Sequence, residues 1–166
     1  MKNTEDFRTV IHTIPPVYDT ESKILILGSF PSVKSRESSF FYGHPQNRFW
    51  RVLALVLKQD VPQSVDDKKD FLLRNHIALW DVIHSCEISG SSDSSIRNVV
   101  PNDISVILKN SRVDKIYTNG ATADRLYKKH IYPQTKILPH KLPSTSSANA
   151  AFNIDRLVLE WKMLCD

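Results

Sequence analysis

The chain has 166 residues, of which 41% are apolar and 24% are charged, an ordinary composition for a globular protein that argues against wholesale disorder. Lysine and arginine outnumber aspartate and glutamate by 22 to 18, so the charge permits a polyanionic partner without requiring one. No apolar run approaches the roughly 20 residues that span a bilayer, and residues 1–10 lack the apolar region of a signal peptide. We therefore expect a soluble, cytoplasmic protein with one domain over residues 1–166.

The predicted elements alternate between strands and helices along the chain. In the first half they are an N-terminal arm that lies over the sheet (1–21), a strand (23–27), a long loop (28–47), a helix (49–59), a helix that starts at a cap on Asp66 or Asp67 and ends at Asn75, and a strand (77–80). In the second half they are a Ser-rich loop (81–98), a helix from Asn102 or Asp103 to Lys109 or Asn110, a strand (115–118), a helix (121–129), a strand (135–138), a polar loop (139–149) and a last helix (152–164). Because parallel strands need such crossovers, the pattern predicts an α/β fold: a three-layer α/β/α sandwich with a central, mainly parallel four-stranded sheet.

Polar loops follow each predicted strand, at 28–47, 81–98, 119–120 and 139–149. In a parallel sheet such loops gather at one edge, where open α/β sheets bind ligands. The first loop is long for a connector, and long loops inside compact domains are usually functional. We therefore expect the functional site at this edge.

The residue inventory disfavours several kinds of chemistry. Two cysteines are too few for an iron–sulfur cluster and lack the paired spacing of a structural zinc site. His44, His140 and Asp81 are candidate metal ligands, but their spacing matches no known metal motif. The sequence also contains no P-loop, no GxGxxG motif and no GxSxG elbow, which argues against P-loop phosphoryl transfer, dinucleotide binding and a serine nucleophile of the elbow type.

Two motifs resemble a known family. The run GSFPS…FYGHPQNRFW within 28–50 and LPSTSSAN at 142–149 are similar to the uracil-DNA glycosylase superfamily, and most closely to its hypoxanthine-DNA (deoxyinosine) glycosylase branch. ALWDVIHSC at 78–86 and NGATA at 119–123 extend the resemblance over most of the chain. It implies a monofunctional enzyme that flips a deaminated base out of DNA and hydrolyses its N-glycosidic bond, leaving an abasic site. It also implies a monomer that needs no metal, iron–sulfur cluster or cofactor.

The resemblance assigns the catalytic role to Asn47. In mismatch-specific relatives the first motif reads like GINPG, and its asparagine positions the attacking water; Phe30 stands at that position here, and an aromatic ring cannot polarise water. Asn47, in HPQNRFW, matches the residue that the hypoxanthine branch uses instead, to hold a water or to hydrogen-bond the base. The alternative is that Asn47 only caps the helix that follows it.

The expected base-binding residues come from three loops. Phe30 and Tyr42 would stack on the flipped base, and the backbone amides before Pro31 would contact a base edge or a phosphate. Asp81 would accept a hydrogen bond from a ring N–H, unless it only caps the following turn; Asp93 is a weaker candidate of the same kind. The base-binding set is Gly28, Ser29, Phe30, Pro31, Tyr42, Asp81 and Asn119.

The second motif departs from the family pattern. Leu142 stands where many relatives carry a His or Asn that stabilises the departing base, and Ser146 stands where a leucine often wedges into the base stack. Serine and threonine hydroxyls with a nearby lysine still suit phosphate contacts. The expected DNA-binding residues are Ser32, Lys34, Arg48, Lys141, Pro143, Ser144, Thr145 and Ser146, and Arg36 and Arg97 are also expected near the DNA.

Three other functions remain open at this point. A uracil or xanthine glycosylase of the same fold is the nearest alternative. A non-catalytic DNA-binding module would show salt-dependent DNA binding without an abasic product. A hydrolase of free nucleosides would need no basic rim around its site.

Overall fold

The structure, a computed structural model, describes residues 6–89 and 95–166. Its centre is a sheet of four parallel strands in the order β3-β2-β6-β7. This arrangement confirms the α/β class and the parallel four-stranded sheet. The strands are β2 (Ile24–Gly28), β3 (Ile77–Asp81), β6 (Lys115–Asn119) and β7 (Pro139–Leu142).

Alternate residues of the central strands feed two separate cores. Ile26 of β2 packs into one apolar cluster, whereas Leu25 and Leu27 pack into the other, because successive side chains of a strand point to opposite faces. The first core is covered by α2 (Phe49–Leu57), α3 (Val65–Arg74) and α7 (Ile154–Trp161), and the second by α4 (Ser105–Lys109) and α5 (Ala121–His130). Helices therefore lie on both faces of the sheet, as the three-layer prediction requires.

A second sheet was not predicted from the sequence. Strands β1 (Arg8–Ile11), β4 (Ile83–Ile88) and β5 (Arg97–Pro101) form it in the order β1-β4-β5, all antiparallel. The expectation of a loop over 81–98 is therefore wrong for the residues that form β4 and β5. The segment 90–94 between these strands, which includes Asp93, lies outside the described residues. Two register shifts between β4 and β5 break the alternation of apolar and polar residues that would have revealed these strands.

The last central strand is shifted by four residues from its predicted place. The apolar pattern predicted a strand at 135–138, but Thr135 ends a short helix, α6 (Tyr132–Thr135), and Leu138 is exposed. Lys136 has a left-handed backbone with φ of 59°, which interrupts any strand there. The strand is β7, and Pro139 is its first residue. At this position the missing backbone N–H of proline does not remove a hydrogen bond from the interior of the strand.

The long loop after β2 contains one more short helix, α1 (Val33–Ser38). The helix α3 begins two or three residues earlier than predicted, because Ser64 is its cap and Asp67 completes the capping box instead of capping the helix itself. Among the helices of the described residues, none has the length and apolarity needed to cross a bilayer.

Candidate active site

The parallel register brings the ends of the central strands to one edge. Gly28 at the end of β2 is level with Asp81 at the end of β3, and Asn119 at the end of β6 lies one strand away on the other side. A cavity of about 490 Å³ opens at this edge, within the usual size range of ligand sites. The residues that line it include Asn47 and the complete predicted base-binding set: Gly28, Ser29, Phe30, Pro31, Tyr42, Asp81 and Asn119.

The amide of Asn47 has a fixed orientation. Its Oδ1 accepts a hydrogen bond from the Phe49 backbone N–H at 2.9 Å and a second from the Thr145 hydroxyl at 2.9 Å. A backbone N–H can only donate, so the oxygen and the nitrogen of this amide are not interchangeable. Both lone pairs of Oδ1 are occupied, and no described residue accepts a hydrogen bond from Nδ2. Asn47 therefore caps α2 with its oxygen and keeps its N–H donors for the cavity.

Thr145 connects this amide to a second one. Besides donating to Asn47, its hydroxyl accepts from Nδ2 of Asn119 at 3.1 Å, and its backbone N–H donates to Oδ1 of Asn119 at 3.1 Å. The Thr145 residue is fully buried. The sequence placed Thr145 among the phosphate contacts, but this geometry assigns it to holding the two asparagine side chains.

Asp81 is held by a residue that the sequence reading missed. His12, which directly follows β1, places Nε2 2.8 Å from Oδ2 of Asp81, and both side chains are almost completely buried. The pair is 69 residues apart in sequence, and the sequence predicts only an N-terminal arm for the segment that contains His12. Only the pairing of β1 with β4 brings His12 to the site, so no local signal could have found it.

Gly28 leaves room for two polar groups at the floor of the cavity. A Cβ at this position would lie 2.4 Å from Oδ1 of Asp81 and 2.8 Å from the Tyr42 hydroxyl, distances that real Cβ atoms do not show. Glycine is required here because these two side chains approach the backbone too closely to leave room for a Cβ. The backbone of β2 thus forms the floor against which the carboxylate rests.

Tyr42 presents a neutral hydroxyl to this floor. Burial and, to a smaller degree, the Asp81 carboxylate raise the pKa of Tyr42 above its ordinary value, and the nearby Asn119 amide opposes this only in part. The hydroxyl is buried without a partner of hydrogen-bond geometry among the described residues. One face of the ring stacks on Phe49 at a centroid distance of 4.0 Å, so only the other face remains for a ligand.

Phe30 lies beside the His12–Asp81 pair at the cavity wall. It is half-buried, meets the His12 ring edge-to-face at 6.0 Å, and carries the Arg36 guanidinium 5.7 Å from its ring centre. Phe41 packs in the first core and also lines the cavity. The aromatic wall is therefore larger than the two residues that the sequence indicated.

Arg48 has a different place from the one expected. Its guanidinium donates to the carbonyl oxygens of Thr145 at 3.3 Å, Ser146 at 2.7 Å and Asn149 at 3.3 Å, and also to that of Phe152. Its backbone N–H donates to the Thr145 carbonyl as well, at 3.0 Å. We call the segment 145–152 the clamped loop. The side chain predicted to contact DNA is thus occupied in holding this loop against α2.

The other predicted DNA contacts are divided by the structure. Ser32, Ser144 and Ser146 line the cavity, and Ser32 also caps α1. Lys141 is exposed on β7, and the Pro143 carbonyl accepts a hydrogen bond from Nε1 of Trp161 at 3.0 Å. The side chain of Lys34 lies outside the described part of the chain. Arg36 lines the cavity, whereas Arg97 lies on β5 against Glu87 and the Phe7 ring.

The candidate metal ligands are not brought together. Within residues 6–89 and 95–166, no three His, Cys, Asp or Glu side chains form a group that could hold a metal ion. His44 lines the cavity, while His140 lies on β7 against the Tyr117 ring at 5.2 Å.

Replacing Arg48 with Gln should release the clamped loop. We expect the free energy of unfolding to fall by about 1–3 kcal/mol, because a charged donor shared by several carbonyls is lost. Amide hydrogen exchange across 145–152 should become faster, which mass spectrometry would measure. Arg51→Gln, on the exposed side of the same helix, is the matched control and should change neither quantity. Unchanged exchange in Arg48→Gln would contradict the clamp.

The amino-acid sequence is similar to known glycosylases. Residues 15–164 match the family described as the uracil DNA glycosylase superfamily. The chain is 39% identical over 95 residues to a hypoxanthine DNA glycosylase of Methanosarcina barkeri, and this alignment covers 56% of the chain and 60% of that protein. It is 35% identical over 153 residues to a hypoxanthine DNA glycosylase of Methanosarcina acetivorans, covering 89% of the chain and 93% of that protein.

A solved structure has the same fold. The solution NMR structure of a candidate uracil DNA glycosylase from Methanosarcina acetivorans superimposes with a TM-score of 0.76 at 30% sequence identity, over 92% of this chain and 97% of that chain. The family match extends over most of the residues, and two of these relatives align along nearly their whole length. The chain therefore belongs to the uracil DNA glycosylase superfamily.

Proposed function

We propose that the protein is a monofunctional hypoxanthine-DNA glycosylase, which hydrolyses the N-glycosidic bond of deoxyinosine in DNA and leaves an abasic site. The observation that carries the proposal is the Asn47 amide, whose oxygen is fully used by the protein and whose N–H donors are left for the cavity. Two relatives that are 39% and 35% identical are named hypoxanthine DNA glycosylase, which supports the same substrate.

The reaction needs a group that stabilises the departing base. The bond between C1′ of the sugar and N9 of the base breaks with its electron pair going to the base, and the sugar gains oxocarbenium character. Nδ2 of Asn47 would donate to the base as this negative charge develops. The N-terminal end of α2 follows directly after Asn47, and its positive dipole end favours the same charge.

The attacking water then completes the hydrolysis. Its oxygen bonds to C1′, one of its protons is lost, and the released base takes up a proton to become neutral hypoxanthine. Because the oxocarbenium-like sugar is a strong electrophile, the water needs positioning more than it needs a strong base. With both lone pairs of Oδ1 occupied, Asn47 cannot accept a hydrogen bond from this water, so we assign it to the base and not to the water.

Base recognition would come from the floor and wall of the cavity. Asp81 would accept the N1–H of hypoxanthine, and the rings of Phe30 and Tyr42 would contact its faces. An aromatic wall offsets part of the few kcal/mol that flipping a base costs. We also predict that the enzyme is a monomer and that phosphates of the DNA are bound by Ser32, Lys34, Lys141, Ser144 and Ser146.

Uracil is the second candidate substrate. Its ring N3–H is a donor like the N1–H of hypoxanthine, so the same carboxylate would accept it. The solution NMR structure with the same fold is that of a candidate uracil DNA glycosylase. Duplexes that carry inosine or uracil at the same position would distinguish the two.

Replacing Asn47 with Asp separates the cap from the donor. An aspartate keeps oxygens for the Phe49 N–H and the Thr145 hydroxyl but loses the N–H donors. We expect Asn47→Asp to fold like the wild type and to cleave an inosine duplex about 10²–10³-fold more slowly at neutral pH, because one preorganised donor to the developing charge is lost. Single-turnover alkaline cleavage would measure the rate, and Asn47→Ala would show the loss of both roles. Wild-type cleavage by Asn47→Asp would reduce Asn47 to a helix cap.

Replacing Thr145 with Val tests the connection between the two amides. Valine keeps the shape of the side chain but removes the hydroxyl that orients Asn47 and Asn119. We expect the single-turnover rate on inosine to fall about 10–100-fold, which corresponds to the roughly 1–3 kcal/mol that an unsatisfied buried polar group costs. Thr145→Ser retains the hydroxyl and should stay close to wild type. Equal rates for the Val and Ser variants would exclude the orienting role.

A further inference from the structure

One member of a buried pair at the cavity floor, His12, has no role in the mechanism above. Oδ2 of Asp81 lies 2.8 Å from Nε2 of His12, with side-chain exposures of 5% and 1%. We propose that His12 is a positioning residue for base recognition: it binds one oxygen of Asp81 and so leaves the other to accept a ring N–H of the flipped base. The inference rests on the proposed glycosylase function.

The surroundings of His12 determine which nitrogen carries its proton. Nδ1 is buried and has no hydrogen-bond partner among the described residues. A proton on Nδ1 would therefore be a buried donor without an acceptor, which is costly, whereas a proton on Nε2 is donated to the carboxylate. The geometry favours a proton on Nε2, with Asp81 as its acceptor.

The ring of His12 is also fixed in place. It lies 6.0 Å from the Phe30 ring, 6.0 Å from the Phe41 ring and 6.4 Å from the Trp80 ring, measured between centroids. The backbone N–H of His12 donates to the carbonyl of His84, which ties the residue to β4. The three aromatic rings and the hydrogen bond to β4 therefore hold the Nε2–H donor in a fixed position relative to the Asp81 carboxylate.

Asp81 is restrained on its other sides as well. Its backbone carbonyl accepts from Nδ2 of Asn102 at 2.9 Å. Its Oδ1 and the Tyr42 hydroxyl both lie next to Gly28, and no hydrogen bond joins Oδ1 to another of the described residues. With Oδ2 bound to His12, the orientation of the carboxylate is fixed, and Oδ1 is the oxygen left for a ligand in the cavity that Asp81 lines.

A carboxylate oxygen that is held in one place and has no donor bound to it determines which base edges can bind. It accepts from the N1–H of a lactam base such as hypoxanthine and repels the N1 lone pair of adenine. An amide in the same place would have both a donor and an acceptor to offer. By holding Asp81 in one orientation, His12 would help the enzyme distinguish hypoxanthine, which carries the N1–H, from adenine, which lacks it.

Three substitutions of His12 test this role. His12→Gln places an N–H donor near the position of Nε2, whereas His12→Asn places it near Nδ1, and His12→Ala removes it. We expect single-turnover cleavage of an inosine duplex to fall about 10–100-fold in the Ala and Asn variants and to recover to within about fivefold of wild type in Gln. If His12→Ala does not fold, the comparison of Gln with Asn decides the question.

A double-mutant cycle tests whether His12 acts through Asp81. In an Asp81→Asn background, His12→Ala should change the rate less than about threefold, because the carboxylate that it orients is gone. Equal costs in both backgrounds, equal rates for Gln and Asn, or a folded His12→Ala with the wild-type rate would overturn the inference alone. A wild-type protein that cleaves neither inosine nor uracil duplexes would overturn the proposed function and the inference with it.

Discussion

The single proton of the Thr145 hydroxyl determines how two asparagine amides face the cavity. The backbone N–H of Phe49 must donate to Oδ1 of Asn47, and the second lone pair of that oxygen receives the Thr145 proton. The same hydroxyl is then left to accept from Asn119. A backbone donor of α2 thus sets the direction of a chain of hydrogen bonds that ends at β6, and the N–H donors of Asn47 are what remains for a ligand.

This network joins two segments that lie 98 residues apart in sequence, and Arg48 holds them together. Arg48 follows Asn47, and its guanidinium binds carbonyls along the clamped loop, which begins at Thr145. The residue beside the catalytic candidate therefore holds the loop that orients that candidate. Charge on a surface loop suggests a DNA contact when only the sequence is known, but here the positive charge of Arg48 binds backbone carbonyls of the clamped loop.

The sequence predicted the central sheet because its strands β2, β3 and β6 are short, apolar and separated by helical patterns. The edge strand β7 was misplaced because its sequence, PHKL, has few apolar residues. The apolar run 135–138 before it predicted a strand, but its first residue is the last residue of α6. The small antiparallel sheet was missed because register shifts interrupt its alternation. The cavity residues could be predicted because they follow strand ends, whereas His12 enters the site only through pairing between distant strands.

In the mechanism that we propose, a deaminated base binds in this cavity between Asn47 and Asp81. It is tested most directly by a crystal structure of the wild-type protein with a duplex that contains 2′-fluoro-deoxyinosine, in which fluorine disfavours the oxocarbenium-like state and slows cleavage. We expect a flipped hypoxanthine with Nδ2 of Asn47 within about 3.2 Å of a base atom and Oδ1 of Asp81 within the same distance of N1. A base that stays stacked in the duplex, or that occupies the cavity without contacting either side chain, would contradict it.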